Sequence, residues 1–574
     1  MYKNNLNKSK SSCQQFTSLT KFVFTDFFFL LLLIIIVSIP LLVNNIVGQI
    51  DSNAHLYRMT SFIEAINCHQ FPPKWAHRAG LGIGTPVFMY NWSLPYFIVW
   101  FFTKFGFTIL VSVKLFYFLT NILAGTGFYL FINKLFSKKL ALFGSILYLF
   151  MPYRLIISYH YGSWGEMMFL SLIPWAFYFI LLIFKNKRKM IPFVGFTVIL
   201  FLLLISHIPL LAAFIPFIAI FCIWQAVLKK TLIPLLYISG SLFFAFLISS
   251  FQLIYLLFER NQIRYFEKID LFYLPFTKFY DLTNSFLRYA IPLKERPDFW
   301  GFTYGLSGIL AFFLGLIWII SIILSHKKIG YTNGFFILIW FLVITYLFVA
   351  LPISTPIWNS ITYLFFILYP YRFIAVSGFL SIIFLVYLAS IFYKKWILFL
   401  VAFLVCLTSF SYLTSSVPDN TSFNEKDLNL PQSPLTDYIL LSNMGVNEFL
   451  PKNVSGNLTS RIYNIKQNLP LYEILTGDIK VKIINQCGSN LTLETIGSNS
   501  SLKLNRLNFP NWKIRINNKI ISHSQNSDGF IIFEIPKGNN QIAVTFEDTK
   551  IGKYGKLISI VGLLLFLGFL VILK

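Results

Sequence analysis

Long apolar runs separated by short polar breaks set the pattern of this chain. The first, Phe27 to Val43, is followed closely by Gly48-Gln49-Ile50-Asp51-Ser52-Asn53-Ala54-His55-Leu56-Tyr57-Arg58. Further runs lie near 108–132, 140–157, 166–184, 190–207, 208–228, 231–257, 304–324, 333–351, 372–392, 396–414 and 554–573. About 20 apolar residues are what a helix needs to cross a bilayer, so the pattern predicts a polytopic α-helical membrane protein of about twelve spans. Phe27–Val43 is too long for a typical signal-peptide core and has no small-x-small cleavage site after it, so it reads as an uncleaved first span. The piece Trp92 to Phe102 is short and aromatic, which suits the membrane interface.

After Leu413 the pattern changes to alternation, with Lys480-Val481-Lys482-Ile483, Leu502-Lys503-Leu504, Trp512 to Ile516 and Ile542 to Phe546. Turn signals at Asn517-Asn518, Asp528-Gly529 and Lys537 to Asn540 separate these strands. The predicted organisation is a tail over 1–21, a transmembrane domain over 22–414 with long loops at 44–107 and 258–303, a β-sandwich-like domain over 415–552 and a closing helix over 553–574.

Composition agrees with a membrane protein. The 574 residues are 56% hydrophobic and only 12% charged, with 66 Phe and 30 Tyr, whereas a soluble domain is about 25% charged. The net charge of +25 is concentrated in short loops: Lys134, Lys138 and Lys139; Lys185, Lys187, Arg188 and Lys189; Lys229 and Lys230; Lys327 and Lys328; Lys394 and Lys395. All fall on one side of the alternating spans. This positive-inside pattern places both termini in the cytoplasm, puts 415–552 outside, and argues against a nucleic-acid partner. The second long loop is mixed in charge, with Glu259, Arg260, Arg264, Glu267, Lys268, Asp270, Lys294, Glu295, Arg296 and Asp298. Cysteines 13, 68, 222, 406 and 487 form no metal motif, and Cys68 and Cys487 share the outer side, where they could pair.

Candidate chemistry gathers at that outer side. In a helix, Asp51, His55 and Arg58 fall at i, i+4 and i+7 on one face, with Leu56, Met59 and Ile63 on another. Lys114, Arg154, Glu166, His207 and Arg372 stand at outer ends of other spans, in contexts such as Met151-Pro152-Tyr153-Arg154 and Tyr369-Pro370-Tyr371-Arg372. Together they would line a cavity suited to a lipid phosphate. Arginines bind phosphate oxygens bidentately, and a carboxylate kept ionised by an adjacent cation can deprotonate an incoming hydroxyl.

The Asp51-Ser52-x-x-His55-x-x-Arg58 stretch, with Phe71-Pro72-Pro73-Lys74-Trp75 and Gly82-Ile83-Gly84-Thr85-Pro86, resembles a prokaryotic membrane family named "6-pyruvoyl-tetrahydropterin synthase-related". The layout is also similar to YfhO-like membrane proteins, and both look like relatives of the C-type (GT-C) glycosyltransferases. The resemblance implies transfer of a sugar from a polyprenyl-phosphate donor to an envelope glycan, lipid or protein. Asp51 would be the general base, assisted by Glu64 or Glu166, and His55, Arg58, Arg154, His207 and Arg372 would bind donor phosphate or substrate. It implies no pterin-synthase activity, since that chemistry needs a clustered-histidine zinc site and His55, His69 and His77 are scattered. No metal or other cofactor is expected. A transporter or lipid flippase, and a non-catalytic scaffold for envelope assembly, are the alternatives.

Overall fold

The computed structural model describes residues 27–43, 51–79, 82–186, 189–264, 302–326, 328–361, 367–413, 449–452, 454 and 470–572. The expected tail 1–21, the charges between 265 and 301, Gly48 to Ile50, Lys187, Arg188 and Lys327 lie outside the described residues.

Helices occur where the apolar runs predict them. After α1 (Phe27–Val43) come α2 (Ser52–Asn67), α3 (Leu94–Thr103), α4 (Ile109–Leu135), α5 (Lys138–Leu149) and α6 (Pro152–Ile156). Then follow α7 (Trp164–Lys185), α8 (Met190–Leu204), α9 (Ile208–Lys229), α10 (Ile233–Ile248) and α11 (Ser250–Phe258). The chain continues with α12 (Gly305–Leu324), α13 (Tyr331–Val349), α14 (Arg372–Ile391), α15 (Lys395–Ser409) and α16 (Lys550–Ile572). Among the described residues, eight helices are long and apolar enough to cross a membrane, or ten when each of two bent pairs counts as one span. Among the described residues, α1, α3 and α8 are apolar but shorter.

The expected single span over 231–257 is corrected by an 80° bend between α10 and α11. Ser249 and Ser250 turn their hydroxyls back to the Ala245 and Phe246 carbonyls, at 2.8 and 3.1 Å. Such back-bonding competes with the helix ladder and bends it. The Phe251 N–H donates instead to Ser559 Oγ on α16, at 2.7 Å. A second break, of 45°, separates α5 from α6 at Pro152, where the ring cannot continue the ladder.

α7 and α14 form the centre of the helical bundle. Their apolar windows are 78% and 89% buried, against 17% for α16, so the helices beginning at Trp164 and Arg372 are enclosed by the others.

The C-terminal domain is two antiparallel sheets. The strands are β1 (Tyr472–Thr476), β2 (Ile479–Cys487), β3 (Asn490–Gly497), β4 (Ser500–Leu507), β5 (Trp512–Ile516), β6 (Lys519–Ile521), β7 (Ser524–Gln525), β8 (Phe530–Ile535) and β9 (Gly538–Phe546). One sheet has the order β1-β4-β8-β7 and the other β2-β3-β9-β5-β6. Asn517 and Asn518, at φ 48° and 66°, make the tight β5–β6 turn, a conformation Asn tolerates better than most residues. The turn expected at Lys537 to Asn540 is tighter, since Asn539 and Asn540 already pair with β3.

The first long loop docks on this domain. Trp75 packs against Trp512 and Phe546, with ring centroids 5.2 and 4.8 Å apart; Trp512 is therefore core, as its complete burial shows. Cys68, after α2, forms a disulfide with Cys487 at the end of β2. Asp548 accepts from Lys74, from Lys556 at 2.8 Å and from Tyr255 at 2.7 Å. Burial pushes the Asp548 carboxyl up, but Lys74 and Lys556 outweigh it and hold it at about 2.

Maleimide should therefore leave Cys68 and Cys487 unlabelled until a reductant is added, as read by peptide mass spectrometry. Labelling of both before reduction would contradict the pairing.

Candidate functional site

Asp51 stands at the entry to α2 with its N–H donated to the Tyr161 carbonyl, at 2.7 Å, while its own carbonyl accepts from the His55 N–H at 3.0 Å. The Tyr161 carbonyl belongs to a π-helical turn, Ile157–Tyr161, which follows α6 and ends at Gly162, with φ 66°. Wide turns of this kind break the α ladder and recur at functional sites. The helical entry confirms the expected face of Asp51, His55 and Arg58, and Leu56 and Met59 lie fully buried on the other.

Glu166 and Arg372 meet beneath this face. Arg372 Nε donates to Glu166 Oε1 at 2.8 Å, Tyr153 donates its hydroxyl to Glu166 Oε2 at 2.7 Å, and His207 Nε2 lies 3.6 Å from Oε1. Both partners are buried, at 1% and 5% exposure. The sequence places each in the first turn of its helix, with opposite consequences. A helix N-terminus stabilises the Glu166 carboxylate and opposes the Arg372 cation. Arg372 is stabilised there by Glu166, by the Ile367 carbonyl at 2.6 Å and by the Tyr369 ring at 4.8 Å. His207 Nδ1 caps α9 by accepting the Leu210 N–H at 3.2 Å, so its ring proton sits on Nε2, toward Glu166.

Aromatic rings enclose the pair. Phe302 stacks on Tyr153, Tyr161 and Tyr371, with centroids 4.9, 5.0 and 4.2 Å away. His55 bonds the Tyr96 hydroxyl at 2.7 Å and stacks on Trp164 at 4.9 Å. Burial, reinforced by the Arg58 charge, pushes the His55 pKa well below its usual range, so the ring is neutral.

The electrostatics of Asp51 differ from the expectation. Burial outweighs the attraction of Arg58 and Arg372, Glu166 adds repulsion, and the carboxyl is pushed up to about 6. The same balance shows that Arg58, Glu166 and Arg372 all act on Asp51.

Other expected residues are placed elsewhere. Arg154 turns to Asn121 on α4, at 2.9 Å, and to the Tyr148 and Leu149 carbonyls, both at 3.3 Å. It thereby satisfies carbonyls freed where α5 ends, and Asn121 passes the contact to Ser38 on α1 at 3.0 Å. Of the pair Tyr153-Arg154, the tyrosine reaches Glu166. Lys114 donates to the Leu42 carbonyl at 2.8 Å, closing the end of α1. Glu64 binds Arg78 at 2.9 Å and His77 at 3.0 Å, which hold its carboxyl at about 2. Among the described residues, no group of three or more His, Cys, Asp or Glu is placed to hold a metal ion.

Glu166→Gln should leave Arg372 buried without its counter-charge and cost about 3–5 kcal/mol. The unfolding midpoint in detergent should fall, and Glu166→Gln with Arg372→Met should recover much of it. A single variant as stable as wild type would contradict the pair's role. Arg154→Gln should lower the same midpoint while leaving Asp51 titrating near 6, as read from the pH dependence of its chemical modification.

A family model described as "6-pyruvoyl-tetrahydropterin synthase related domain; membrane protein" matches residues 88–418. Comparison with curated proteins and with solved structures gives no match. The matched region holds Arg154, Glu166, His207 and Arg372, whereas Asp51, His55, Arg58 and the β domain lie outside it. With more than half of its length inside that match, and the central helix pair with it, the chain belongs to the 6-pyruvoyl-tetrahydropterin synthase related family of membrane proteins.

Proposed function

We propose that this protein transfers a sugar from a polyprenyl-phosphate donor to an envelope acceptor at the outer membrane face. The observation that carries the reading is that Asp51, held at the entry to α2 by the Tyr161 carbonyl, lies in the electrostatic field of Arg58 and of the Glu166–Arg372 pair. A carboxyl titrating at about 6 is about nine-tenths ionised at pH 7, and its carboxylate is a stronger base than an ordinary aspartate, suited to taking a proton near neutrality.

In this reaction the acceptor hydroxyl oxygen attacks the anomeric carbon of the donor sugar. Its proton passes to the Asp51 carboxylate. The bond from the anomeric carbon to the phosphate oxygen breaks, and polyprenyl phosphate leaves with the electron pair. Arg58 offsets the charge that develops on that phosphate. Glu166 acts through others: its two oxygens are occupied by Arg372 and Tyr153, so it is a positioning residue and not a second base. Arg372 contributes its field at Asp51 while remaining held by Glu166.

The sidedness has separate support. The Cys68–Cys487 disulfide suits an oxidising compartment, which supports an outer position for the first long loop and the β domain. Lys134, Lys138, Lys185, Lys229 and Lys394 mark the opposite helix ends, consistent with a cytoplasmic face. Among the described residues, counting α1, α8 and both bent pairs as spans would give twelve, an even number that is compatible with both termini on the cytoplasmic side. A lipid-flippase reading draws on the two bent helix pairs, since transporters use broken helices. It requires movement of the lipid without cleavage of its sugar.

Asp51→Asn should lower turnover of a polyprenyl-phosphate sugar by roughly 10²-fold or more. Purified variant and wild type are compared by release of polyprenyl phosphate, and equal release would remove Asp51 from the role of base. Because the ionised form is the active one, wild-type kcat/KM should be half-maximal near pH 6 and fall about tenfold per pH unit below it. A profile flat down to pH 4 would contradict the assignment.

A further inference from the structure

Arg58 is the site cation carried by the loop helix α2, and the β-domain side of the chain supplies its cover. The guanidinium lies 5.5 Å from the centroid of the Phe449 ring and acts electrostatically on Tyr96. Phe449 is itself buried, at 3% exposure, and is far in sequence from every other residue of the site. It belongs to a short strap whose described residues are Phe449 to Lys452 and Val454. The strap is pinned on one side to the chain leaving α11: the Arg264 N–H donates to the Leu450 carbonyl at 3.1 Å, and the Lys452 N–H to the Gln262 carbonyl at 3.0 Å. Ile263 and Pro451 form an antiparallel bridge between these contacts. On the other side, Val454 fills the space at Gly529, where a Cβ would lie 2.6 Å from its side chain. Gly529 precedes β8, so the strap runs between the helical bundle and the β domain.

We infer that Phe449 is a positioning residue for Arg58, and that the strap thereby makes the entry to the β domain part of the donor-phosphate site. A cation is attracted to the face of an aromatic ring, and more so where water is excluded. The ring fixes the guanidinium from one side, so that its position relative to Asp51 and Tyr96 is held. This assignment rests on Arg58 binding the donor phosphate, as proposed above. An apolar plug would occupy the same place without using its π face, and the two roles differ in what can replace Phe449.

The test compares the full chain with Phe449→Leu, which keeps apolar bulk without a ring, and Phe449→Tyr, which keeps the ring. Phe449→Leu should raise KM for a polyprenyl-phosphate sugar by roughly fivefold with kcat little changed, and Phe449→Tyr should stay within about twofold of wild type. A KM unchanged in Phe449→Leu, or raised equally in both variants, overturns the inference. A second readout needs no turnover. The rate at which a dicarbonyl reagent modifies Arg58, followed by peptide mass spectrometry, should rise several-fold in Phe449→Leu alone, and equal rates in all three proteins overturn the Phe449–Arg58 coupling. Absent turnover in wild type with the dicarbonyl difference intact would count against the glycosyltransferase reading and not against the coupling.

Discussion

The buried ion pair between Glu166 and Arg372 is the constraint on which the rest of the site depends. It joins the two most enclosed helices at their first turns, where the helix dipole favours the acid and opposes the base. Removing both charges from water is costly and is offset only by good geometry and additional hydrogen bonds. Here those come from Tyr153, the Ile367 carbonyl and the stacked rings around Phe302. The pair therefore fixes how α7 and α14 meet, and supplies the field felt by Asp51.

A second constraint acts from the loop side. Asp51 is held by the Tyr161 carbonyl, α2 is tied at its far end to β2 by the disulfide, and Trp75 and Lys74 dock onto the β domain. The helix bearing Asp51, His55 and Arg58 is thus clamped at both ends. Its position is set by contacts from three separate parts of the chain, and this allows a carboxyl and a guanidinium to remain close in a poorly hydrated setting.

Much of the fold was legible because apolar run length and strand alternation are local signals. The Asp51–Arg58 face was legible for the same reason, since three residues at helical spacing need no tertiary information. Where the chain bends was not, because the break at Ser249 depends on the Ser559 hydroxyl of α16 accepting the Phe251 N–H from more than 300 residues away. Charge at span ends selected Glu166, His207 and Arg372, which the fold brings together, and Arg154, which turns instead to the carbonyls at the end of α5. Tyr153, Phe302 and Phe449 were missed because an aromatic residue in a chain with 66 Phe and 30 Tyr carries no signal of its own. The direction of the Asp51 shift was missed for a related reason: adjacent arginines are visible in a sequence, whereas the burial that outweighs them is not.

The most direct measurement is the titration of Asp51 in the purified full-length protein, read as the pH dependence of carbodiimide labelling at that residue by mass spectrometry. Carbodiimide reacts with the protonated acid, so labelling should be half-maximal near pH 6. A midpoint near 4, the value of an unperturbed aspartate, would contradict the account of a half-buried carboxylate in the field of Arg58, Glu166 and Arg372.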